Sequence, residues 1–387
     1  MKVVTTEKLP IKLWLDDIED GALEQARNLA NLPFAFHHIS IMPDSHQGYG
    51  MPIGGVLATQ DVIIPNAVGV DIGCGMCAVK TSLTEIDTDV LKQIMGQIRK
   101  TIPVGFSRHK EDNSDNGRLM PSGFSTCPIV DSEFNNALTQ IGTLGGGNHF
   151  IEIQKGSDGH IWVMIHSGSR NLGFKVANHY NDVAKKLNDK WKTSVPKEHD
   201  LAFLPLETPE GQSYISEMNY CVEFALANRK LMMDRVEQAF YDLAPDHFFE
   251  NENMVNIAHN YASMENHFGK NVMVHRKGAT LARENTIGII PGSQGTKSYI
   301  VKGLGNKDSF ESCSHGAGRK MGRKEAQRTL SLEDEQKKLE GIIHSVRNVK
   351  DLDEAPGSYK DIDVVMNNQK DLVDILVELT PLGVIKG

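Results

Sequence analysis

Glycine and histidine recur together in this chain, in short turns that cut brief apolar runs. The turns are DIGCGMC at 71–77, GTLGGGNHF at 142–150, HSGSR at 166–170, NIAHN at 256–260 and CSHGAGR at 313–319. Glycine supplies the positive φ that a tight turn needs, and apolar runs this short fit buried strands better than helices. Such punctuation constrains the fold to a sheet-centred one. Strands are predicted at 3–15, 38–42, 150–153, 161–165, 255–259, 272–275, 286–290, 299–301 and 341–346. The apolar runs 56–58, 62–64, 67–70 and 78–80 also read as sheet. Helical spacing places helices at 17–30, 84–100, 131–141, 172–192, 211–244, 324–330 and 362–376, and leaves PLGVIKG as a tail. The polar segment 109–123 reads as a mobile loop.

The length of 387 residues admits two or three domains or one large one. No linker or charge block divides the chain, and no repeat with a period of about 20–50 residues appears. Strands and helices interleave without a βαβ rhythm. The expected fold is therefore α+β, a single large domain over 1–387 with a sandwich-like, sheet-rich core and helices packed outside. The opening MKVVTTEKLP has no apolar core of a leader and no run is long enough for a membrane helix, so a cytoplasmic protein with no membrane partner is expected. Net charge is −9, from 41 basic and 50 acidic residues, which argues against indiscriminate nucleic-acid coating and leaves room for a locally basic groove.

The turns carry the chemistry. Asp71 and Cys74 share one glycine-flanked turn, and a carboxylate with a thiolate can ligate a divalent ion; alone, they equally suit a turn Asp and a buried Cys. His149, His166 and His259 each fall at a strand end beside Gly or Asn, which extends the pair to five donors. Five exceed one tetrahedral site, so two ions sharing Cys74 are economical, and two-metal sites suit phosphoryl transfer. Ligand type leaves Zn²⁺ and Mn²⁺ both open. His315 sits among small residues that let a phosphate approach, with Arg319 near to hold it, and an imidazole can act as a nucleophile. PGSQGTKS at 291–298 resembles an anion cradle without the P-loop spacing.

In order, the motifs MPDSHQGYGMPIGG, IIPNAVGVDIGCGM, GTLGGGNHFIE, HSGSRNLG, HNY, RKGA, GIIPGSQG, KSYIVKGLGN, SCSHGAGR, SYKDIDVVM and the terminal KG resemble the RtcB family of RNA ligases, nearly end to end. The resemblance implies a GTP- and Mn²⁺-dependent ligase that joins an RNA 3′-phosphate or 2′,3′-cyclic phosphate to a 5′-hydroxyl, in RNA repair or tRNA splicing. It implies a guanylylated His315 and two Mn²⁺ held by Asp71, Cys74, His149, His166 and His259, with Cys74 bridging. It further implies nucleotide contacts from Asn148, Phe150, Ile151, Glu152, Asn260, Pro291, Gly292, Ser293, Gln294, Ser298, Gly316, Ala317, Gly318, Tyr359 and Lys386, of which Glu152 and Lys386 would meet the guanine and Tyr359 would stack on it. Arg170 and Arg319 would meet triphosphate or RNA phosphate.

On the residues alone, Lys386 equally reads as a solvated terminus and Tyr359 as a surface aromatic. Asp44 and His46 are read as structural support of the metal loop. The sequence departs from the family pattern at NIAHN, which has one histidine where two are usual, and at Gln294, where Met is usual. The segment 106–123 is also less basic than an RNA-binding loop would be. These departures imply a paralogue acting on a damaged RNA other than tRNA. The expected partner is RNA, with an activating protein left open and a monomer expected. The competing functions are a metal-dependent phosphodiesterase that opens cyclic phosphates and a non-catalytic RNA-end-binding protein.

Overall fold

The computed structural model of the chain describes residues 1–110, 119–124, 127–244 and 247–387. The architecture is α+β, built on two larger sheets. One runs, in spatial order, Lys2–Val4, Ile11–Leu13, Ala35–His46, Ile53–Thr59, Lys270–Lys277 and Asn260–His267. The other runs Val255–Ala258, Gly75–Lys80, Ile161–Ser167, Phe150–Gly156, Val373–Lys386, Ser298–Gly303 and Ile287–Ile290. Neighbours are antiparallel except Ile11–Leu13, which pairs in parallel with Ala35–His46.

Strand Ile161–Ser167 is buried on both faces, so it opens as the unbroken apolar run IWVMI. Side-chain direction alternates with period two. Ile151, Ile153, Ile161, Val163 and Ile165 therefore face helices Thr88–Thr101 and Pro209–Leu243, where Ile94, Ile98, Met232, Val236 and Phe240 pack on them. Trp162, Met164, Phe150 and Val384 face the other way. His166 and Glu152 share this second face by the same alternation, and so does Lys386, which pairs with Phe150 as Phe150 pairs with His166. The site side chains thus occupy one face of a sheet whose opposite face is anchored in the largest helix. No helix among the described residues is long and apolar enough to cross a membrane.

Several expected elements differ. The predicted strand over 3–15 is two strands, Lys2–Val4 and Ile11–Leu13, folded back on each other because the polar TTEK stretch and Pro10 turn the chain between them. The apolar run 67–70 is not strand but the end of the short helix Pro65–Val68, which Pro65 opens and Gly69, at φ 92, stops. The run 341–346 forms only one bridge, Ile343 to Gly383. The helix over 362–376 ends at Asn367, and the supposed tail is the 14-residue strand Val373–Lys386, inserted between two others. Most of the polar loop, including Arg118, lies outside the described residues.

Arg229, fully buried on Pro209–Leu243, ties the helix to the site. Its guanidinium donates to the Gly73 carbonyl at 3.0 Å, the Ser167 carbonyl at 2.9 Å and Asn256 Oδ1 at 2.7 Å, joining three segments that carry chemistry-bearing turns. Arg229→Ala leaves these buried acceptors unpaired, so urea denaturation is expected to show a loss of about 3–5 kcal/mol. A loss below about 1 kcal/mol would contradict this role.

Candidate active site

The turn at 71–75 is shaped by packing. Gly73 has φ 75, and a Cβ there would stand 2.9 Å from the Cys221 carbonyl oxygen, so only glycine brings this turn against the helix. Cys74, buried, then meets the histidines. His149 Nδ1 lies 3.0 Å from the Leu144 carbonyl and His166 Nδ1 lies 3.1 Å from the Asn148 carbonyl. A carbonyl only accepts, so each Nδ1 carries the proton and each Nε2 presents a lone pair; at His149 this makes Arg170 Nη1, 3.2 Å from the same Nδ1 and itself only a donor, a close contact and not a hydrogen bond. Those Nε2 atoms stand 3.5 Å and 3.3 Å from Cys74 Sγ. His259 follows strand Val255–Ala258, with its N–H bonded to the Cys74 carbonyl at 2.8 Å and its ring edge-on to His166. Its Nδ1 is buried without a partner.

Two donor groups result, Cys74–His166–His259 and Asp71–Cys74–His149, each with its ligand atoms within 4.8 Å of one another. Cys74 belongs to both. Burial pushes the Cys74 thiol well up and holds His149 and His259 well below the usual imidazole range and His166 down at about 3. The imidazoles are thus neutral donors, and the thiolate needs a cation beside it to form.

The His259 ring meets the His315 ring edge-on, with centroids 4.8 Å apart. His315 follows strand Ser312–Ser314, and its Nδ1 lies 2.6 Å from Asp44 Oδ2. The same oxygen accepts the backbone N–H of His315 at 3.1 Å and of Gly316 at 3.3 Å. An oxygen that already accepts two backbone N–H groups accepts from the ring as well, which places the ring proton on Nδ1 and leaves Nε2 as the lone-pair nitrogen. Asp44 therefore supports His315 and not the Asp71–Cys74 turn, contrary to expectation. Gly318, at φ 75, completes the cradle, since a Cβ would stand 2.1 Å from the Asp44 carbonyl oxygen.

A cleft of about 840 Å³ opens beside His315. It is lined by Asn148, Phe150, Glu152 and Lys386 from the sheet, by Pro291, Gly292, Ser293 and Gln294, by Gly316, Ala317, Gly318 and Arg319, and by Tyr359. The structure brings most of the expected nucleotide residues together here. Ile151 does not join them, because alternation turns it into the helix-side core. Ser298 stands behind the loop and accepts the Gly292 N–H at 3.1 Å. Asn260 lines a second cleft, donating to the Asp71 carbonyl at 3.1 Å and accepting from Gly278 N–H at 2.7 Å. Arg170 lines neither cleft; its Nε lies 3.3 Å from Thr143 Oγ1 and it packs beneath His149.

Burial pushes the Glu152 carboxyl up to about 8 and draws Lys386 down. Gln294 donates to the Glu354 carbonyl at 2.8 Å. Glu354 also receives the Tyr359 hydroxyl, Arg319 at 3.0 Å and Arg323 at 2.7 Å, so one carboxylate organises a wall of the cleft. Glu354 and Arg323 line the cleft and were not assigned from the sequence, and His46, read there as support of the metal loop, lines it too. The sequence carries no signal that singles out Glu354: 349–356 reads VKDLDEAP, and only burial beside Leu352 and Ala355 sets it apart from Asp351 and Asp353.

A family described as "tRNA-splicing ligase RtcB" matches residues 25–387. The chain is 38% identical to "RNA-splicing ligase RtcB" of Escherichia coli (strain K12), over 100% of this chain and 99% of the relative. It is 32% identical to "tRNA-splicing ligase RtcB" of Thermococcus kodakarensis, over 98% and 95% of the two chains. Against "RNA-splicing ligase RtcB homolog 1" of Entamoeba dispar it is 32% identical, over 95% and 82%.

The hydrogen bond to Asp44 predicts that ¹⁵N NMR finds the neutral His315 ring protonated at Nδ1. Asp44→Asn is expected to give a mixture of tautomers. An Nε2-protonated ring in the unmutated protein would contradict the arrangement.

Proposed function

The chain belongs to the RtcB family, and on that footing we propose that it is an RNA-splicing ligase that consumes GTP and joins an RNA 3′-phosphate or 2′,3′-cyclic phosphate to a 5′-hydroxyl through a guanylylated His315. The observation that carries this reading is the juxtaposition of His315, with Nδ1 held by Asp44, and two donor triads that share Cys74.

The donor set fits divalent metal: a thiol that needs a cation to ionise, neutral imidazoles with aligned lone pairs, a carboxylate, and an orphaned buried nitrogen on His259. Asp71, Cys74 and His149 would hold one Mn²⁺, and Cys74, His166 and His259 the other. When bound, the ions neutralise phosphate oxygens and order an in-line displacement.

The chain's own residues account for the rest. His315 Nε2 attacks the α-phosphorus of GTP, the N–P bond forms as the bond to the bridging oxygen breaks, and pyrophosphate leaves. Asp44 takes no proton; it offsets the positive charge that builds on the ring. Glu152 and Lys386 meet the base edge, Tyr359 offers its face to the ring, and Glu354 holds Tyr359 and Arg319 in place. Arg319 meets phosphate. An oxygen of the RNA 3′-phosphate next displaces His315 from the guanylate phosphorus, freeing the imidazole. The RNA 5′-hydroxyl then attacks the activated 3′-phosphorus and GMP departs. A cyclic phosphate is first opened by water.

Incubation with Mn²⁺ and α-³²P-GTP is expected to leave acid-labile label on the protein, and His315→Ala is expected to remove it with the fold intact. Asp44→Asn should lower labelling by about 10²-fold or more, by analogy with carboxylate–imidazole pairs elsewhere. No label with any divalent ion would favour the phosphodiesterase instead.

A further inference from the structure

The second cleft, of about 1730 Å³, meets the nucleotide cleft at Asn148, Ile53, His315 and Arg323. It also continues outward. A third depression, of about 980 Å³, shares Lys185 and Asp200 with it. Helix Arg170–Trp191 forms a wall of both: Asn178, Asn181 and Lys185 line the larger, while Lys185 and the capping residue Lys192 line the smaller. Spacings of three and four residues place Asn178, Asn181 and Lys185 on one helix face, and Lys192, the left-handed C-cap, follows just past its end. From Asn178 to Lys192 the stripe extends about 21 Å at 1.5 Å per residue. Lys197, in the turn Lys197–His199, adds a third ammonium on the smaller depression.

The depression open to the active-site cleft is lined by three lysines and two aspartates, Asp189 and Asp200, a local excess of one positive charge in a chain of net charge −9. Two are held only by exposed pairs, Lys185 with Asp200 and Lys197 with Asp189, both at 2.8 Å. Pairs of this kind are weak and exchange readily for another anion. Lys192 has no acidic partner among the described residues. Tyr49, 77% exposed on the larger cleft, presents an open aromatic face.

We propose that this helix face is a track for the backbone of single-stranded RNA: Lys185, Lys192 and Lys197 hold phosphates several nucleotides from the junction, and Tyr49 stacks on a base nearer to it. Lysine tracks phosphate without reading sequence, and stacking accepts any base, which suits an enzyme that takes many RNA ends. This proposal rests on the ligase reading for its substrate class. Lysines at a helix C-terminus also suit the helix dipole, and a purely structural role would change stability without changing the salt dependence of RNA binding.

The test uses the triple variant Lys185→Gln, Lys192→Asn and Lys197→Gln; asparagine tolerates the left-handed backbone at 192, where φ is 54. Fluorescence anisotropy measures Kd for labelled 3′-phosphorylated RNAs of about 12 and about 4 nucleotides over a salt series. The longer RNA is expected to bind the variant about tenfold or more weakly, with the log–log salt slope shallower by about 2. The short RNA should show less than about a twofold change. Repeating with 5′-hydroxyl strands assigns the track to one arm, and length-dependent loss on either arm supports it. Equal Kd and slope for the two proteins, or equal loss on both lengths, would overturn the track. If the triple variant loses its thermal transition, Lys192→Glu and the charge-keeping Lys192→Arg replace it, and failure of arginine to restore long-RNA binding counts against the proposal. GTP labelling of His315, which needs no RNA, reports separately on the ligase reading.

Discussion

One buried sulfur atom organises the site. Cys74 Sγ lies within 3.5 Å of two imidazole nitrogens whose partner nitrogens are tied to backbone carbonyls, so neither ring can turn its lone pair away. Burial alone would keep the thiol protonated, and the rings around it carry no charge to offset a thiolate. A cation resolves both conditions at once. Arg229 holds the turn beneath Cys74 to the end of strand Ile161–Ser167, which fixes His166 relative to the sulfur. The arrangement of these donor atoms is thereby a consequence of how a 35-residue helix packs on a sheet.

His315 belongs to a different part of the fold. Its strand pairs with Ala279–Leu281, and its ring is set by Asp44 from the six-stranded sheet. His315 and the two Cys74 donor groups are thus positioned by separate elements that meet at the His259–His315 contact. Two clefts adjoin His315, one on the sheet face and a second running along helix Arg170–Trp191. His315 lines both clefts, the position that the proposed guanylate transfer requires.

Much of this was legible in the turns. The donor residues announce themselves because a metal ligand at a strand end needs small neighbours, and Gly73, Gly168 and Gly318 supply them locally. Long-range pairing left no such trace. The strand Val373–Lys386 carries register shifts at Pro381–Gly383 and beside Leu376, so its alternation is broken and its start reads as a helix. Its place between Phe150–Gly156 and Ser298–Gly303 depends on contacts with segments far away in the chain. Lys386 consequently looked like a loose end. Asp44 was misassigned for the same reason: its partner lies 271 residues on, and only the fold brings them together. Ile151 failed the other way, as a neighbour in sequence that strand alternation turns to the far side.

The central claim is that Cys74 is common to two metal positions beside His315. Anomalous diffraction at the manganese edge, from crystals grown with Mn²⁺, tests it most directly. Two peaks flanking Cys74 Sγ are predicted, one towards Asp71 and His149 and the other towards His166 and His259. A single peak, peaks that leave Cys74 without a bond to metal, or none at saturating Mn²⁺ would contradict it.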